Sequence, residues 1–83
     1  MIEKILNEIH SFLSGTHHME PLEFSLYLED YLCDNYDVMY KEDANMTVAL
    51  NEEIPDICAE VERDTDGLEF KKKLKNELIN ILD

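Results

Sequence analysis

Ile2, Ile5, Leu6, Ile9, Phe12 and Leu13 recur at steps of three and four, which draws one apolar stripe along an α-helix. The spacing predicts a helix over 2–13. Ser14 and Gly15 close it, glycine being suited to the left-handed position beyond a helix C-terminus. Pro21 fits the first turn of a second helix, where its missing N–H costs nothing. From there to about Tyr36 the period is helical again: Phe24, Leu28, Tyr31 and Leu32 share one arc, with Leu22, Leu26 and Cys33 flanking it more loosely. Residues 35–45 lose the period. They read as a helix end and a connection in which Tyr36, Met39 and Tyr40 are partly buried.

A third series, Met46, Leu50, Ile54, Ile57, Cys58 and Val61, keeps helical spacing straight through Pro55. Proline removes a backbone hydrogen bond and disfavours helix at the residue before it, so one kinked helix or two short ones meeting near Pro55 are expected. Asp64, Thr65, Asp66 and Gly67 read as a turn, with Asp66 and Glu69 spaced as a capping pair for the last helix. Phe70, Leu74, Leu78 and Ile81, supported by Ile79 and Leu82, form its apolar stripe. Short connections and the lack of an alternating strand pattern predict an all-α fold: a small antiparallel bundle of about four helices in one domain spanning 1–83. The β-branched Val48, Ile54 and Val61 leave a strand in the third segment as the minor alternative.

Charge changes the picture. Residues 20–66 hold fifteen of the twenty acidic side chains against only Lys41 and Arg63, so this stretch carries the whole formal charge of −13. Two rows stand out. Glu23, Asp30, Asp34 and Asp37 fall within about 60° of one another at 100° per residue, and Tyr27 borders them. Glu52, Asp56 and Glu60 run at i, i+4 and i+8, with Glu53 beside them. The last helix is basic outside, with Lys71, Lys72, Lys73 and Lys75, so the expected acidic surface excludes it. The bland reading is a solvated face. An ordinary solubilising face, however, mixes signs and sets Glu against Lys at i, i+4, whereas these rows have almost no lysine. Carboxylates roughly 6 Å apart along a helix can stand in for the phosphates of a nucleic acid, and opposite charge speeds encounter with a basic partner. Nucleic acid and anionic membranes are repelled.

At 45 % hydrophobic residues the chain is too apolar to stay disordered. Glu3, Lys4 and Glu8 interrupt the opening apolar run, so neither a signal peptide nor a membrane span is expected. Cys33 and Cys58, both in apolar periodic stretches, read as reduced, buried thiols of a cytoplasmic protein, with a disulfide between them as the alternative. Glu62, Asp64, Asp66 and Gly67 match the start of a calcium loop, but Lys73 stands where the bidentate glutamate belongs. A capping turn is the better reading. His17 and His18, with His10 a helix away, lack ligand-like spacing. No phosphate loop, nucleophile elbow or metalloprotease motif is present. The expectation is a non-enzyme without cofactor or metal.

The opening helix ending in Phe12, Leu13, Ser14 and Gly15, then Phe24 early in an acidic second helix, resembles the small helical immunity proteins grouped with colicin D immunity protein. So do the run from Leu50 to Asp56 (LNEEIPD) and Phe70 in the last helix. The resemblance implies a four-helix bundle that binds a cationic ribonuclease toxin domain and blocks its active site with acidic residues. On that expectation Glu23, Tyr27, Asp30, Asp34 and Asp37 form one contact row, and Glu52, Glu53, Asp56 and Glu60 the other. A phage-encoded nucleic-acid mimic such as an anti-CRISPR protein would use the same physics. A helical assembly module joined through an apolar face is the rival of a different class.

Overall fold

The computed structural model describes residues 1–62 and 67–82. Six helical segments follow one another: α1 (Ile2–Ser14), α2 (Pro21–Asp34), α3 (Tyr36–Glu42), α4 (Ala44–Glu52), α5 (Ile54–Ala59) and α6 (Gly67–Leu82), with no strand among the described residues. The fold is all-α. The turn expected at 64–67, the Asp66 cap and the calcium-loop resemblance fall on or across residues outside those described. The radius of gyration is 12.0 Å, close to the roughly 12 Å of a well-packed chain this long.

α1 buries Ile2, Ile5, Ile9 and Phe12 and ends as its sequence indicates. Gly15 takes φ 81°, and its N–H donates to the Phe12 carbonyl at 3.2 Å. α2 turns Phe24, Leu28, Tyr31 and Leu32 inward. It stops two residues before the expected Tyr36, because Asn35 leaves helical geometry (φ −109°, ψ 11°) while its side-chain amide donates to the Tyr31 carbonyl at 3.0 Å. The expected connection over 35–45 is in fact mostly helix. α3 holds to the core through Met39, its one buried side chain, whereas Tyr40 is 48 % exposed. Asp43 then caps α4, its carboxylate accepting the Met46 N–H at 3.0 Å. The third predicted helix is two, parted at Glu53. Pro55 sits in the first turn of α5 and has no N–H to offer the Asn51 carbonyl, so the α4 ladder cannot run on.

The core is one cluster drawn from all six segments. Its centre is aromatic: Phe12 of α1 stacks on Phe24 of α2 with centroids 4.2 Å apart, and Phe70 of α6 tilts against Phe12 at 5.5 Å. Two polar side chains join it. Ser25 and Thr47 are fully buried because each hydroxyl donates to a carbonyl of its own helix region, Leu22 at 2.7 Å and Asp43 at 2.8 Å. Cys33 departs from expectation. It lies on the far side of α2 from the buried arc and is exposed, while Cys58 is buried; both thiols are free. No helix among the described residues is long and apolar enough to cross a membrane.

Candidate partner-binding surface

The first acidic row is split between two segments. Glu23, Asp30 and Asp34 stand exposed on α2, and Asp37 stands exposed on α3, beyond the Asn35 break. All four are exposed, but the break at Asn35 divides them between two helices, so they do not form a single helix face. Tyr27 is half-buried. Its ring tilts against Phe24 and Tyr31, and its hydroxyl donates to Glu8 of α1. Burial, then the bond to Glu8, pushes its pKa up to about 12. Tyr27 thus ties α2 to α1.

The second row follows the α4–α5 junction: Glu52 ends α4, Glu53 occupies the break, Asp56 lies in the first turn of α5 and Glu60 caps its end, all exposed. α2 packs directly on α5, so the two rows stand on neighbouring helices. Of the eight carboxylates in the rows, only Glu60 has a cationic partner among the described residues, Lys73 of α6. The remaining seven are exposed and form no ion pair among the described residues.

The C-terminal helix is not outside this surface. Glu77 of α6 approaches the second row, and its carboxyl is held above the ordinary carboxylate range by burial first and then by the charges of Glu53 and Glu52. Sequence reading missed it because Glu77 follows a lysine run and joins the row only through packing of α6 against α4 and α5. It also missed that Tyr36, half-buried, and Tyr40, exposed, stack along α3 with centroids 5.9 Å apart and planes 23° from parallel. Their i, i+4 spacing was the available signal.

No protein-family model matches the chain, and no curated protein or solved structure is significantly similar to it. Its chemistry rests on its own residues. Among those described, no three His, Cys, Asp or Glu side chains gather to hold a metal ion. His17 accepts the Met19 N–H through Nδ1 at 3.2 Å, stacks on His18 and sets its edge to Phe24, so this imidazole shapes the α1–α2 connection. Cys58 is sealed in the core, and burial, with Glu29 nearby, pushes its thiol up to about 12, far from an activated nucleophile. A thiol reagent at pH 8 is therefore expected to modify Cys33 readily and Cys58 only after unfolding in guanidinium. Two rapidly reacting thiols in the native protein would contradict the burial of Cys58.

The raised pKa of Glu77 fixes the sign of another test. The folded state binds this proton more tightly than the unfolded chain does. Ionised Glu77 therefore opposes folding at neutral pH, and the penalty fades as pH falls through the folded-state value to below the unfolded one. Glu77→Gln is expected to raise Tm by a few degrees at pH 7 and to leave it unchanged near pH 3. A melting curve shifted equally at both pH values would trace the gain to packing instead.

Proposed function

We propose that the chain is an immunity protein: a non-enzymatic inhibitor that binds a cognate basic nuclease toxin, tRNase-like in type, and covers its active site with an acidic helical surface. The observation that carries this reading is the seven exposed carboxylates, without an ion pair among the described residues, in two rows on neighbouring helices. Holding like charges together opposes folding and contributes nothing to the core, so their use lies in a complex with a cationic surface. Glu23, Asp30, Asp34 and Asp37 with Tyr27 make one contact row; Glu52, Glu53, Asp56 and Glu60 make the other, extended by Glu77. The small antiparallel bundle, the cytoplasmic setting and the mimicry of nucleic-acid phosphates belong to the same proposal, as does the resemblance to the colicin D immunity group.

A pull-down from lysate of the source cells, washed at low and then high salt, tests it. A basic nuclease eluting with salt, and losing activity when the protein is added back, is the expected result. Capture of a nucleic-acid-binding protein that is not a toxin would favour the mimic instead. A specific observation supports the assembly module as the second reading: α6 leaves Ile79 and Leu82 48 % and 58 % exposed beside a groove shared with His10 and Leu13 of α1. That reading requires self-association that grows with concentration and is insensitive to salt, whereas an electrostatic complex weakens as salt rises.

A further inference from the structure

The molecule uses its four tyrosines in two ways. Tyr27 and Tyr31 serve the fold: the first donates to Glu8, the second to the Met1 carbonyl at 2.8 Å. Tyr36 and Tyr40 do not. Their hydroxyls have no hydrogen-bond partner among the described residues, and their stacked rings stand with Asp37 and Lys41 around an open cleft of about 540 Å³ on the outer side of α3. Val38 is also 48 % exposed on this seven-residue helix. Tyr40 is 48 % exposed and Tyr36 half-buried; tyrosine combines large area with few rotatable bonds and is enriched at interface centres.

What covers them follows from the charge around them. The pair lies next to Asp37 and is continuous with the first acidic row. A partner surface complementary to that row is cationic. Of the two cationic side chains, only arginine has a planar group that stacks on an aromatic ring while its donors reach a carboxylate. Lysine presents a compact, strongly hydrated charge that gains less from the ring. The protein already holds one cation against an aromatic face, Lys71 Nζ lying 5.2 Å from the Phe12 ring centroid.

We propose that the Tyr36–Tyr40 pair, with Asp37, is an arginine-reading anchor that seats a guanidinium from the cationic partner. Resting on the immunity reading, the proposal adds an aromatic platform for arginine to a surface whose carboxylates already favour the forked guanidinium over a compact ammonium. Lys41 is the competing cation of the cleft, four residues from Asp37 on the same face.

Nona-arginine and nona-lysine, titrated at equal ionic strength, test this without a known partner. The parent protein is expected to bind nona-arginine about threefold to fivefold more tightly, the range of one exposed cation–π contact. Tyr36→Leu with Tyr40→Leu is expected to narrow that gap to what the carboxylates alone give, while leaving the nona-lysine affinity and the helical circular dichroism in place. Lys41→Ala is expected to widen it. Equal affinities for the two peptides, a gap unchanged by the double substitution, or binding of neither peptide would overturn the anchor. The outcome is separable from the immunity reading. A toxin captured through the acidic rows without arginine preference would retain the function and remove the anchor. A preference without any toxin would do the reverse.

Discussion

Phe24→Ala is expected to lower stability by about 3–5 kcal/mol. The side chain is fully buried, stacked on Phe12 at 4.2 Å, with the edge of His17 at 5.1 Å. Its removal leaves a void where α1, α2 and the α1–α2 connection meet. A chain of this length is stable by only roughly 4–12 kcal/mol, so the variant sits near the edge of folding. A domain of this size loses about 4–8 °C per kcal/mol, which puts the fall in Tm at no less than about 12 °C by circular dichroism. Phe24→Leu keeps most of the volume and is expected to cost nearer 1 kcal/mol. A Phe24→Ala protein melting within about 5 °C of the parent would mean that this aromatic centre is not where the stability resides.

The largest effect on binding is expected from charge reversal. Asp30→Lys with Asp34→Lys changes the first row, and Glu52→Lys with Asp56→Lys the second. Each pair sets two positive charges against a cationic partner, where like-charge juxtaposition costs several kcal/mol. A loss of about 100-fold, roughly 2.7 kcal/mol, is expected in the row that makes contact. All four positions are exposed, so the helical signal is expected to stay. Relief of repulsion among the carboxylates is expected to hold Tm level or raise it. This combination distinguishes a lost contact from a damaged fold. Affinity that survives reversal in both rows would show that the complex forms elsewhere.

Legibility in the sequence followed the number of turns over which a pattern could repeat. α1 shows six apolar positions in phase and a glycine stop, and it runs only one residue past its expected end. α3 has two turns and one buried residue, Met39, too few to establish a period. The α4–α5 division was legible because proline's missing N–H acts locally. Ser25 and Thr47 gave no apolar signal, since their burial depends on hydrogen bonds to their own helix backbone. Cys33 misled by type: cysteine is commonly buried, but its phase on α2 points outward. The acidic rows were visible in spacing, whereas the break at Asn35 and the arrival of Glu77 come from tertiary packing. No pattern within one helix encodes those.

The slightness of α3 has a consequence of its own. Seven residues cannot sustain a helix in water unaided, so α3 persists because Met39 fastens it, α2 and α4 flank it, and Glu42 at its end accepts from the Met1 amino group at 3.0 Å and the Ile2 N–H at 3.2 Å. A segment this short, with a single buried side chain, belongs to the low-stability end of a domain's opening spectrum. Its amides will exchange with deuterium ahead of those of α1 and α6. Whatever settles on its outer side will slow that exchange, so the helix serves as the molecule's own reporter of occupancy.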